Sequence, residues 1–531
     1  MRRQWYLGFG AILTILLIIF IMLNNIRWFG FFLIPVAIVW IYDLLQKKHT
    51  LWRNFPVIGH FRYFLEFLRP EIQQYFIATD ESELPFNRES RSLIYQRAKN
   101  ARDTIPFGTE RDILSVGYTW ALHSLAPKHA SEVENRIMIG GPDCTKPYSA
   151  SRLNISAMSF GSLSGKAIMA LNKGAMIGGF AHNTGEGGLS PYHLQGGDII
   201  FQIGTAYFGC RDNEGNFDDD EFRAEASREQ VKMIEIKLSQ GAKPAHGGIL
   251  PAAKLTEEIA KVRKVPMGKD VVSPIAHSTF DTPVGLLYFV KRLRDLSGGK
   301  PIGFKLCVGR RYEFLAICKA ILKTNIFPDF ITVDGAEGGT GAAPVEYSNF
   351  IGTPLEPGLV FVHNALIGIN VRDKIRIICS GKVTNGFDLV TNIALGADLC
   401  NSARAMMMAT GCVQSKQCNA NTCPTGVATQ NKRLQYGLVV DEKKQRVANF
   451  HKNTMKSFVE MVGALGLNNP SDLTPTHIMR RTNIGETKTL DKIYDYLKPG
   501  QLLGSEIPEK LRPFWEMANP DTFVANEYDI H

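Results

Sequence analysis

Cysteine is scarce, nine in 531 residues, which excludes a scaffold built on disulfides. Charge is modest as well: 21% charged against 45% hydrophobic residues is a globular balance and excludes a disordered chain. Lys and Arg number 60 against 51 Asp and Glu, a net +9, yet no block of like charge is dense enough to argue for nucleic acid. No G-x-G-x-x-G follows a strand-like run, which weakens a dinucleotide-binding fold. The stretch Gly161–Ala167 echoes a Walker A loop but is one spacer short and lacks the terminal Ser or Thr that holds Mg²⁺. Long apolar runs are confined to the start of the chain.

There, Trp5–Leu23 is nineteen residues without a charge, long enough for a hydrocarbon core of about 30 Å. A second apolar stretch, Trp28–Tyr42, ends at Asp43. Arg2 and Arg3 precede the first run, and Lys47, Lys48 and Arg53 follow the second. The positive-inside rule then predicts a transmembrane helical hairpin over residues 1–50, hence a two-span membrane protein with its catalytic domain in the cytoplasm. In that compartment thiols stay reduced, and clustered cysteines bind metals rather than each other. Residues 51–149 read as a helical juxtamembrane collar, 150–430 as the catalytic domain and 431–531 as a helical extension.

From residue 150 short apolar runs alternate with amphipathic stretches. Leu153–Met158, Met233–Leu238, Ile302–Leu306, Phe330–Asp334, Ile375–Ile378 and Ala397–Cys400 read as strands; Val284–Leu296, Glu313–Lys323 and Phe387–Leu395 read as helices. This rhythm means parallel βαβ units in an α/β protein. A doubly wound sheet shares it, but functional-looking residues follow many different strands. Only a (β/α)8 TIM-type barrel gathers all such loops on one face, so the barrel is the expected fold.

Cys412, Cys418 and Cys423 lie within twelve residues of a Gly-, Asn- and Pro-rich loop. Thiolates so spaced, with Pro424 directly after the last, suit an iron–sulfur cluster, and three ligands point to the 3Fe-4S form. Zinc and three unrelated buried cysteines are the rival readings. Glycine-rich strand ends form a second signal: Asp334–Gly341, then Ser380-Gly381-Lys382, then Asn401–Arg404. One such loop is most often a turn; three in succession suit phosphate binding, with Lys382 and Arg404 to neutralise charge. Lys305 closes a buried-looking strand, where a lysine is costly unless it meets a negative or polarisable group, or snorkels to the surface. Glu186, in a glycine-flanked loop, either steers an ammonium or imine or caps a turn.

At these residues the chain resembles the FMN-binding, iron–sulfur synthase domain of glutamate synthase. The resemblance rests on Ser156–Gly161, Asn183–Gly188, Glu235–Pro244, Gly338–Ala342 and Cys412–Gln430, and spans roughly residues 130–440. It is specific enough to identify the chain with the stand-alone, membrane-anchored branch of that family. The resemblance implies FMN at the barrel mouth, lined by Ser156, Ala157, Met158, Ser159, Lys305, Gly338, Gly339, Thr340, Gly381, Ser402, Ala403 and Arg404. A 3Fe-4S cluster would sit beside it, with Glu186 and Gln202 facing the substrate. The implied chemistry is reduction of 2-iminoglutarate, formed from 2-oxoglutarate and ammonia, to L-glutamate. Alternatives are a flavin oxidoreductase with another substrate and a non-catalytic flavin–cluster relay.

Departures from the family shape the expectation. No glutaminase nucleophile or nicotinamide motif is seen, so ammonia is taken from solution and electrons from a separate donor, ferredoxin-like or a membrane quinol. The family's Lys-Gln-Val-Ala-Ser-Gly-Arg-Phe-Gly stretch reads here Phe201–Gly209, with Phe201 and Tyr207 in place of the Lys and Arg. Ala245 and His246 replace a Gly-Glu pair in the loop after Lys243. A dicarboxylate is best held by cations, so these changes predict weak use of 2-oxoglutarate, with Arg211 and Lys243 as possible substitutes.

Overall fold

The alternation that begins after residue 150 resolves into a closed barrel of eight parallel strands paired in chain order. They are β1 (Leu153–Ile155), β2 (His182–Asn183), β3 (Ile199–Ile203), β4 (Val231–Lys237), β5 (Ile302–Leu306), β6 (Phe330–Asp334), β7 (Arg376–Ser380) and β8 (Leu399–Ser402). The computed structural model describes residues 26–525. The chain divides into two compact units, Met1–Arg88 and Glu89–His531, and the barrel lies in the second.

Helices α1 (Gly165–Gly178), α2 (Asp219–Ala226), α3 (Pro283–Leu296), α4 (Arg311–Thr324), α5 (Leu355–Gly368), α6 (Gly386–Ala394) and α7 (Arg404–Ala409) follow the strands. Local chemistry fixes where several of them start. Ser164, Asp218 and Thr282 accept hydrogen bonds from the first-turn amides of α1, α2 and α3, and Asn385 with Asp388 forms a capping box on α6. Each helix turns its apolar stripe inward onto the strands.

Strand residues alternate between the helices and the barrel interior. At the N-terminal end an antiparallel hairpin, Arg136–Ile139 with Tyr148–Ser151, plugs the barrel. Its Ile137, Ile139, Tyr148 and Ala150 pack with Ala181, Ile200, Met233, Phe330, Ile378 and Leu399 from inside the strands. The interior is therefore a packed core open for chemistry only at the opposite mouth. Helix α8 (Val440–Ala464) lies along α1 and α6. Buried Asp329 ties α3 to the sheet, accepting from Arg294 Nη2 (3.0 Å) and the Ile302 amide (2.7 Å).

The membrane hairpin expected over residues 1–50 is corrected, and with it the two-span membrane localisation. No helix among the described residues is long and apolar enough to cross a bilayer. The first expected span, Trp5–Leu23, lies outside the described residues. The second falls in the helix Ile26–Leu45, which carries Pro35 within it. Its apolar run is cut short by Asp43, a fully buried carboxylate that accepts from the Val57 amide (2.8 Å) and bonds His60 Nε2 (2.9 Å). Through His60 that end of the helix is tied to the helix Ile58–Ile72.

Candidate active site

Along β4 the inward side chains climb from apolar Met233 through Glu235 to Lys237 at the mouth. Glu235 is 1% exposed. Its Oε1 accepts from Asn183 Nδ2 (2.8 Å) and Gln202 Nε2 (2.6 Å), and its Oε2 from Thr332 Oγ1 (2.6 Å). Three neutral donors from β2, β3 and β6 thus satisfy one buried carboxylate. Asn183 passes the constraint on: its Oδ1 accepts from the Gly185 amide (3.0 Å), which sets the loop that carries Glu186. Gln202 lies in this layer below the mouth, with its amide committed to Glu235.

Above the layer, Glu186 Oε1 lies 2.8 Å from Lys237 Nζ. Burial opposes its ionisation, but Lys237, then Arg263 and Lys243, hold its carboxyl below the ordinary carboxylate range. The glycines around it are required by space, because a Cβ on Gly204 or Gly248 would collide with the Glu186 side chain. Burial pulls the Lys237 ammonium down, Glu186 opposes that, and the charge of Lys305 on β5 adds to it. Lys243, 2% exposed, donates to Gly247 O (2.7 Å), and burial brings it down to about 8. Arg263 donates to Phe160 O (3.0 Å), and burial brings it down to about 10. Lys305 is 4% exposed, and its ammonium has no hydrogen bond or ion pair among the described residues. Four buried cations therefore face the mouth around a single engaged glutamate, an arrangement that favours an anionic guest.

On the opposite side of the mouth, Ser156 Oγ and Ser380 Oγ lie 3.2 Å apart, which joins the ends of β1 and β7. Residues Met158 and Ser159 press on Gly185, where any Cβ would meet the Ser159 amide at 2.7 Å. Arg404, after β8 and Ala403, donates to Glu337 O (2.6 Å), and a Cβ on Gly339 would meet its guanidinium at 3.0 Å. Burial lowers Arg404, with Asp334 and Glu337 opposing; burial and then the nearby charge of Arg404 lower Lys382. Two cations crowded together behind glycine loops, where backbone can approach closely, suit a phosphate. Thr340 and Gly339 stand exposed at the rim, whereas Ser402 is buried and donates to Val383 O (2.6 Å).

The cysteine loop leans on the same glycine loop: a Cβ on Gly341 would meet the Cys418 backbone at 3.0 Å. Tyr95 pins its start by donating to Cys412 O (2.7 Å). Burial pushes the Cys412 thiol up to about 11 and raises Cys418 too. For Cys423 burial is outweighed by the Thr425 hydroxyl and the Ala428, Thr425 and Val427 amides, which hold its thiol below the ordinary value. The three sulfurs act on one another electrostatically and one is prepared for negative charge, a donor set that fits thiolate ligation. Among the described residues no group of three or more His, Cys, Asp or Glu stands in metal-holding geometry.

The two aromatic departures have structural roles. Phe201, on the outward face of β3, stacks with Phe222 of α2 at 6.4 Å between ring centroids, so it never points into the mouth. The Tyr207 hydroxyl accepts from the Ser278 amide (3.0 Å) and the Thr279 amide (3.2 Å) and bonds His277 Nδ1 (3.2 Å), holding the 277–279 loop. Arg211, one of the two expected substitutes, spends its guanidinium on Ala206 O and Lys264 O. Lys243 does belong to the mouth. Sequence reasoning missed Lys237, Arg263 and Glu235 as site residues. Lys237 carried the same signal as Lys305, a lysine at the end of a buried strand, whereas Arg263 sits in a short helix with no spacing to mark it.

Residues 89–468 match the family described as the conserved region in glutamate synthase. The glutamate synthase large subunit-like protein YerD of Bacillus subtilis is 37% identical over 509 residues, 87% of this chain and 96% of its own. An archaeal glutamate synthase (NADPH) of Methanocaldococcus jannaschii is 33% identical over 321 residues, 60% of each chain, so the likeness spans little more than half of that relative. A solved mandelate oxidase with (S)-2-phenylpropionate aligns over 75% of this chain at TM-score 0.41 and 14% identity, too distant to bear on function.

Proposed function

Because the chain belongs to the glutamate synthase family by the conserved region at residues 89–468, we propose that it is an oxidoreductase forming L-glutamate from 2-oxoglutarate and ammonia, with FMN and a 3Fe-4S cluster. The observation that carries this reading is the cationic mouth itself, with Lys237, Lys243, Arg263 and Lys305 buried around Glu186. Ser156–Ser159, Gly338–Thr340, Ser380–Lys382 and Ser402–Arg404 would hold the flavin, with Lys382 and Arg404 at its phosphate. Cys412, Cys418 and Cys423 would hold the cluster. FMN, when bound, supplies the hydride-transfer chemistry, and the protein binds, orients and tunes.

Its own residues divide that work. Lys243 and Arg263 offer charge to the substrate carboxylates. Lys237 keeps Glu186 ionised, so that this carboxylate steers an ammonium or iminium group. Lys305 stabilises negative charge on the flavin side of the mouth. With Phe201 outside the barrel and Lys243 inside the mouth, the loss of the family's two cations does not strip the pocket of positive charge. Glutamate formation by the anaerobically reduced protein given 2-oxoglutarate and ammonium tests the reading. Flavin that stays reduced on that challenge refutes it.

The pH dependence follows from Lys243. As pH climbs through about 8, its ammonium loses its proton and affinity for 2-oxoglutarate is expected to fall, by up to about tenfold per pH unit. Fold stability moves the other way: between about 8 and the ordinary value of 10.5 the unfolded chain binds more protons, so the native state gains as pH rises. Titration of 2-oxoglutarate into the flavoprotein at pH 7 to 10 reads the first effect, and Lys243→Met should flatten it.

A further inference from the structure

We infer that Lys254 is a positioning residue and the fixed counter-charge of the cysteine loop, making whatever group the three thiols hold easier to reduce. This inference rests on the reading of Cys412, Cys418 and Cys423 as cluster ligands. Lys254 ends the 3-10 turn Ala252–Lys254, inside the long connection between β4 and α3. The residue is 4% exposed. Its ammonium donates to three carbonyls from separate segments: Cys418 O at 2.7 Å, Ala428 O at 3.0 Å and Ser162 O at 3.3 Å. The same turn is tied again through Asn421 Nδ2, which donates to Ala253 O (2.9 Å). One side chain thus buckles the cysteine loop, the segment that follows it and the loop after β1 together.

Three carbonyls satisfy the hydrogen-bonding capacity of an ammonium but not its charge. Among the described residues no carboxylate pairs with Lys254, and an isolated buried cation is costly. Its ammonium is instead held 2.7 Å from the Cys418 carbonyl, inside the loop that carries the three thiols. The site therefore makes electrostatic sense when those sulfurs are thiolates. Reduction adds one electron to the group they ligate. A cation fixed beside it in low dielectric stabilises the reduced state more than the oxidised one. A purely mechanical tie would need only the hydrogen bonds.

The test is an EPR-monitored redox titration of the full-length protein as purified, with iron content measured in parallel, for wild type, Lys254→Met and Lys254→Arg. In Lys254→Met the reduced-to-oxidised ratio at a given potential is expected to fall about tenfold, a midpoint ~59 mV more negative for a one-electron couple, and Lys254→Arg should return it toward wild type. If Lys254→Met loses its iron, Lys254→Gln takes its place, because Gln keeps a donor for the carbonyls without the charge. An unmoved potential in the iron-loaded Met or Gln protein overturns the inference while leaving the ligand reading intact. Wild-type protein without iron overturns that reading and the inference with it.

Discussion

Replacing Lys237 by Met is expected to lower glutamate formation by roughly a hundredfold or more. The substitution removes the partner 2.8 Å from Glu186 and leaves a largely buried carboxylate, 19% exposed, without its nearest cation. Breaking a buried pair costs about 3–5 kcal/mol, and each 1.36 kcal/mol is about tenfold in rate. The protein can escape that cost by protonating Glu186. Its carboxyl, now held below the ordinary range chiefly against the opposing pull of burial, would then move upward. The acid limb of the pH–rate profile should shift to higher pH in the variant. Rate and profile are read with a chemically reduced donor under saturating ammonium. A Lys237→Met protein with wild-type turnover and an unmoved acid limb would mean that Arg263 and Lys243 suffice to hold Glu186, and that Lys237 is dispensable.

On the proposed reading of Cys412, Cys418 and Cys423 as ligands, Cys418→Ala should abolish the cluster. Three thiolates are the fewest that hold a three-iron core, so loss of one ligand leaves no complete site. Iron and acid-labile sulfide are expected to drop to background and the EPR signal of the oxidised cluster to vanish. The flavin should stay bound, since Ser156, Gly381 and Arg404 are untouched. Electron transfer from a one-electron donor would then collapse even though the barrel is intact. Anaerobically prepared wild-type protein that carries zinc and no iron would refute the assignment. The contact between Gly341 and the Cys418 backbone adds a second readout. Any slackening of the cysteine loop reaches the glycine loop, and flavin fluorescence should report it.

Much of the fold was legible in the chain because its signals are local. Apolar runs at Ile302–Leu306 and Phe330–Asp334 became β5 and β6 with the same bounds, and Val284–Leu296 became α3 within one residue. Period and length alone decide such elements. Strands β2 and β3 were not read as strands. The first is only His182-Asn183, too short for any pattern, and the second, Ile199–Ile203, is an almost continuous apolar run broken by Gln202. The cysteine loop and the glycine-rich strand ends were legible for a related reason: each is a cluster of chemically distinctive residues close in sequence.

The roles of charged side chains were not legible, because they depend on what lies opposite. Sequence alone sets the barrel's rhythm, the placing of Glu186, Lys305 and Arg404 at or just after strand ends, and the spacing of the three thiols. Only the tertiary structure turns Phe201 outward onto Phe222, drops Gln202 into the Glu235 layer and pairs Glu186 with Lys237. It also brings Lys254, more than 150 residues away in the chain, onto the Cys418 carbonyl. Periodicity is a property of neighbours along the chain. A buried ion pair is a property of neighbours in space, whose energy depends on how closely separate strands bring two charges together and how much water they exclude.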